Sequence, residues 1–134
     1  MKKLAIYFSD PEPMGDPFNS SYPYWEIYQE IVKDIEKHGI VVYIVRGATS
    51  YLGKGVFSHS WQIKKGKLVF VDRAITIDLI FHRGDKTTIP IAYDWPMINH
   101  PDLERLCADK IKTSQLFPDI SPKTKAIFSY KQYK

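Results

Sequence analysis

Residues 24–45, YWEIYQEIVKDIEKHGIVVYIV, decide the fold. Tyr24, Ile27, Tyr28, Ile31, Val32 and Ile35 recur at spacings of three and four, the period of a helix with one apolar face. Ser20 or Ser21 stands where a cap belongs, Pro23 falls in the first turn, and Gly39 follows the last periodic residue. Six consecutive apolar residues at 40–45 then read as a strand buried on both faces. A second run of this kind, LAIYF at 4–8, precedes the helix and is broken by Ser9, Asp10 and Pro11. Strand, helix and strand in this order predict a parallel β-α-β unit and an α/β domain.

Outward from that unit the period changes. VFSHSWQI at 56–63 alternates, with Phe57, His59, Trp61 and Ile63 on one side. KKGK places Gly66 at a turn, and LVFVDRAI returns. This predicts an antiparallel hairpin. ITIDLIFHR at 75–83 reads as a further continuous central strand ending at His82 and Arg83, and PMIN at 96–99 as a short one. A last helix is expected over 102–117, capped by Asn99 or Asp102. Its inward stripe would be Leu103, Leu106, Cys107, Ile111 and Ser114, with Lys110 at the edge. A lysine there can pack its stem on apolar surface and hold its ammonium in water. The expected fold is therefore a mostly parallel sheet with an antiparallel hairpin and flanking helices.

Composition bounds the function. The 134 residues suit one core, with 44% hydrophobic and 14% aromatic residues. The 19 basic and 15 acidic residues leave a charge of +4, without the basic blocks expected of nucleic-acid binding. No stretch approaches the roughly 20 apolar residues of a membrane span. Residues 4–8 are too short for the apolar core of a secretory signal, and the single cysteine, Cys107, cannot staple its own domain, so the cytoplasm is the expected compartment. His38, His59, His82 and His100 lack metal-ligand spacing. GKG at 53–55 lacks the rest of a P-loop, and no nucleophile elbow occurs. Neither catalytic nor metal-binding residues are assigned.

Three segments carry a further pattern: SDPEPMGDPFNSS at 9–21, DLIFHRGD at 78–85, and MINHPDLERLCADKIKTSQLFPDISPKT at 97–124. In order and spacing they resemble the N-terminal part of prokaryotic-type glutathione synthetase and related ATP-grasp ligases. The matching features are a polar loop after the first strand, a strand closing in D-x-x-x-x-R, Asn-x-Pro, and a linking helix that bears a lysine. The resemblance implies a Rossmann-like pre-ATP-grasp domain over residues 1–118, with 119–134 the opening of an absent ATP-grasp domain or a loose tail. It implies an amino acid or small peptide as substrate, held by Asp10, Asn19, Ser20 and Arg83, and places Lys110 toward the nucleotide phosphates.

Each of these residues has a plainer reading. Arg83 could pair with Asp85 on the surface, Ser20 could only cap the helix, and Asp10 and Asn19 could only shape turns. The family's chemistry also needs a glycine-rich phosphate loop and carboxylates for magnesium, whereas residues 120–134 contain no Asp, Glu or Gly. ATP and magnesium are accordingly expected to bind in a complete enzyme whose catalytic half joins this chain in cis or trans. None is expected to bind tightly to this chain alone. The apolar residues Ala126, Ile127 and Phe128 would enter that half's sheet, dock on their own domain, or pair with a second copy in a homodimer. Two other readings compete: a stand-alone module for small anions, and an interaction domain using Trp25, Trp61, Tyr130 and Tyr133.

Overall fold

The structure, a computed structural model, describes residues 1–9, 17–18, 24–83, 94–99 and 109–119. The chain forms two compact units, Met1–Asn99 and His100–Lys134.

The first unit is built on a six-stranded sheet. Its strands are β1 (Lys2–Phe8), β2 (Ile40–Arg46), β5 (Ser60–Lys64), β6 (Lys67–Val71), β8 (Leu79–His82) and β9 (Met97–Ile98), in the spatial order β6-β5-β2-β1-β8-β9. The four strands from β2 to β9 are mutually parallel, while β5 and β6 run antiparallel at one edge. The domain is thus α/β, with a parallel centre and an antiparallel hairpin. Lys65 and Gly66 close that hairpin at φ 52° and 71°, the positive values a two-residue type I′ turn requires.

Alternation along β1 and β2 explains why both runs are apolar throughout. Ile6, Val42 and Ile44 face α1 (Tyr24–Glu36), where Tyr28 and Val32 are buried. Ala5, Tyr7, Tyr43 and Val45 face the opposite side and pack on Phe57, Ile75 and Ile77. That second face is covered, among the described residues, by a small sheet and not by a helix. The small sheet has the order β3-β4-β7, formed by β3 (Tyr51–Gly53), β4 (Val56–Phe57) and β7 (Ile75–Thr76), and follows a 3₁₀ turn at Ala48–Ser50. At the end of α1, His38 and Gly39 donate backbone hydrogen bonds to Ile35 and Glu36 at 3.0 Å each, and Gly39 turns the chain at φ 76°.

Three sequence expectations change. Phe57 does not continue the alternation of the hairpin: it lies in the small sheet, and β5 begins only at Ser60. The Ser58 amide donates to the Ser50 carbonyl at 2.8 Å, turning the chain from one sheet to the other. Likewise, residues 75–83 are not one strand. Ile75–Thr76 pairs with β4, and β8 starts at Leu79 in the large sheet. Asp78 makes the switch, its amide donating to the Lys3 carbonyl at 3.0 Å while its carboxylate accepts from the Lys3 amide at 2.8 Å.

In the second unit the described helix, α2, is Lys110–Leu116 and does not run unbroken from residue 102. Asp109 caps it in an extended conformation, with Oδ1 accepting from the Lys112 amide at 3.0 Å. A carboxylate that can satisfy an end amide competes with helix continuation at its own position. Leu103, Leu106 and Cys107 of the expected stripe lie outside the described residues, as do Ser20, Ser21 and Pro23 before α1.

Candidate functional site

The sheet order places one special point. β1 has β2 on one side and β8 on the other, so the chain leaves β1 in one direction and returns on the opposite flank. In open α/β sheets ligands bind in the crevice outside the carboxyl ends of the strands at such a reversal. Here those ends are Phe8 and Ser9 of β1, Arg46 and Gly47 of β2, and His82 and Arg83 of β8. Two backbone bonds carry the ladders to this edge: the Gly47 amide donates to the Phe8 carbonyl at 2.9 Å, and the Arg83 amide to the Tyr7 carbonyl at 2.7 Å.

Arg83 lies one residue beyond the Tyr7 and His82 register pair, level with Phe8, and is exposed. Its Nε donates to the Tyr28 hydroxyl at 3.1 Å, which fixes the guanidinium on the α1 side of the sheet. His82 before it alternates to the other face, fully buried and edge-on to the Tyr7 ring at 5.8 Å. Arg83 is therefore a tethered, solvent-facing guanidinium at the reversal point, a group suited to gripping an anion through parallel N–H donors.

A second arginine, which the sequence reading did not single out, stands at the same edge. Arg46 is the register partner of Phe8, and its guanidinium carbon lies 5.3 Å from the centre of that ring, within cation–π range. Its Nη1 donates to the Pro17 carbonyl at 2.6 Å. Pro17 and Phe18 are buried, and Phe18 stacks on Tyr28 with centroids 5.3 Å apart. Phe18 also meets Phe8 edge-on at 6.1 Å and Trp25 at 5.7 Å. The signal in the sequence was a charged residue closing an apolar strand, but only the register shows that it flanks the same strand as Arg83.

Of the other expected site residues, the structure describes only Lys110. Asp10, Asn19 and Ser20 lie outside the described residues. Lys110 belongs to the second unit, where it is the exposed first residue of α2 and not a mid-helix residue. Of the aromatics proposed for an interaction surface, Trp61 is buried at 3% exposure and Trp25 is half-buried against Phe18. Tyr130 and Tyr133 are outside the described residues.

A polar knot lies in the small sheet. The Tyr51 hydroxyl donates to Asp94 Oδ1 at 2.5 Å and accepts from the Gly55 amide at 3.1 Å, while Asp94 Oδ2 accepts from the Lys54 amide at 2.8 Å. Burial, and then the hydrogen bond to Asp94, push the Tyr51 phenol up to about 12. The bonds from Tyr51 and the Lys54 amide hold the Asp94 carboxyl below its ordinary range. Trp95 Nε1 donates to the Ile77 carbonyl at 2.7 Å and closes the knot.

A cavity of about 550 Å³ separates Gln29 and Lys33 of α1, and Lys37 just after it, from Ile63, Lys65 and Gly66 of the hairpin. Because β5 runs against β2, it opens at the amino ends of the parallel strands, away from Arg83, and Glu30 and Glu36 balance part of its lysine charge. Among the described residues no group of three or more His, Cys, Asp or Glu side chains gathers as metal ligands, and no helix is long and apolar enough to cross a membrane. No family model, curated protein or solved structure matches the chain.

Proposed function

We propose that the chain is the N-terminal, substrate-side domain of a cytoplasmic ATP-dependent carboxylate-amine ligase of the glutathione synthetase type, with a Rossmann-like pre-ATP-grasp fold. The observation that carries this reading is the exposed Arg83 guanidinium, tethered by Tyr28, at the carboxyl end of β8 where the strand order reverses about β1. A substrate carboxylate would rest on Arg83. Asp10, Asn19 and Ser20, which follow β1 in sequence, would take the amino or amide group. Lys110 would serve the nucleotide phosphates. In such a reaction ATP would supply the γ-phosphoryl group that activates a substrate carboxylate, leaving as ADP, and magnesium would neutralise the phosphate charge. A catalytic half joined in cis or trans would supply the carboxylates that hold magnesium and the phosphate loop.

Titration of the isotopically labelled protein with amino acids and small peptides tests the reading. Amide shifts should centre on Ser9, Gly47 and Arg83, and Arg83→Ala should weaken the responding ligand by about 1.5 to 3 kcal/mol, one to two factors of ten. Shifts confined to the cavity beside Lys33 and Lys65, or affinity indifferent to Arg83, would remove the reading. Given ATP, magnesium and the same compounds, the chain alone should release no phosphate above a buffer control.

A further inference from the structure

The two arginines at the carboxyl edge are linked by side chains that all stack or hydrogen-bond. Arg46 holds the Pro17 carbonyl and lies over Phe8. The next residue, Phe18, fills the space bounded by Phe8, Trp25 and Tyr28. The Phe8 and Tyr28 rings also meet directly, edge-on at 5.5 Å, and the Tyr28 hydroxyl receives Arg83 Nε. Tyr28 is 3% exposed, so its ring has little room to turn unless Phe18 or Phe8 moves. Pro17 and Phe18 thus form a buried anchor within the connection from β1 to α1, and the same ring that seats this anchor aims Arg83.

We infer that Arg46 is a positioning residue for Arg83, acting through the seat formed by Phe8, Phe18 and Tyr28. The guanidinium of Arg46 donates to the Pro17 carbonyl while its carbon lies over the Phe8 ring, so one group touches both walls of the seat. Loss of the clamp frees Phe18 to shift, the Tyr28 ring follows, and the Nε tether of Arg83 opens more often. Any effect on a bound substrate rests on the ligase-domain reading, but the coupling between the two arginines does not.

The ligand-independent observable is exchange of the Arg83 Nε–H with water, followed by NMR on the full chain. Tyr28→Phe removes only the acceptor and sets the untethered rate. Arg46→Gln should raise the exchange at least about threefold toward that rate, and Phe18→Leu should do the same, while the amides of Ile6 and Ile44 keep their protection. Arg46→Lys keeps a donor for Pro17 but not the planar face, and should fall between the wild type and Arg46→Gln. An Arg83 rate unchanged in both Arg46 variants would overturn the inference. So would a rise shared equally by Ile6 and Ile44, which would make Arg46 a residue of general stability. If the exchange behaves as expected while no amino acid or peptide binds, the ligase reading fails and the positioning role stands.

Discussion

The edge around Arg83 and the knot around Asp94 use similar parts to opposite ends. Each joins a tyrosine hydroxyl to a charged side chain, and each is walled by aromatic rings. In the knot the polar groups are spent on one another: both Asp94 oxygens accept, the Tyr51 hydroxyl donates and accepts, and Trp95 is tied to Ile77. At the edge, the Tyr28 hydroxyl accepts from Nε of Arg83, whose side chain is exposed. A polar cluster bonded inward shapes the chain, whereas a tethered guanidinium at an exposed strand end is suited to a ligand. The knot should therefore respond to mutation in stability, and the edge in binding.

Gly55 should show the largest effect. It sits at φ 73°, and a Cβ there would lie 2.4 Å from the Trp95 ring and 2.8 Å from the Ile77 carbonyl. Gly55→Ala should destabilise the protein by about 3 kcal/mol in urea denaturation, from backbone strain together with the clash. A loss below about 1 kcal/mol would mean that the Trp95 ring yields freely and that the knot is looser than its hydrogen bonds imply. Tyr51→Phe should come next, at about 1 to 2 kcal/mol, because it leaves the Gly55 amide and one Asp94 oxygen without their partner.

The knot also has a pH signature. Tyr51 is raised in the folded state from 10.0 to about 12, so its contribution is whole below pH 10 and is lost as pH rises from 10 to about 12. Asp94 is lowered from 3.8, so its contribution is present above that value and is lost as pH falls through its folded range. Chemical denaturation across pH should show both limbs, and Tyr51→Phe should remove the alkaline one and reduce the acid one. An alkaline limb unchanged in Tyr51→Phe would assign it to another group.

Arg83→Ala should have the smallest effect on stability, within about 0.5 kcal/mol, since the side chain is exposed. A loss as large as that of Tyr51→Phe would erase the distinction between the two regions and make Arg83 a structural residue.

How much of this was legible in the sequence varies with the range of the interaction responsible. The helix at Tyr24–Glu36 and the strands on either side of it were readable because their periods are local properties of the chain. Residues 75–83 misled because an apolar run looks the same whether it stays in one sheet or crosses to another. The crossing depends on Asp78 meeting Lys3, far away in sequence. Asp109 was passed over for a similar reason. A periodic pattern showed that a helix was favoured but not where a carboxylate would cap it.

The candidate site divides in the same way. Arg83 could be singled out because a charged residue closing an apolar strand marks a strand end. Arg46 met the same description but had no stated partner until β1 was found between β2 and β8. By itself the sequence determined the α/β class, the helix between two parallel strands and the hairpin turn at Gly66, since each follows from spacing, burial pattern or backbone preference within a few residues. Only the tertiary structure decided that β8 returns on the far side of β1, and that a small sheet covers the face opposite α1. It alone brought Arg46, Phe18, Tyr28 and Arg83 together, because strand pairing and side-chain packing join residues whose separation along the chain carries no local signal.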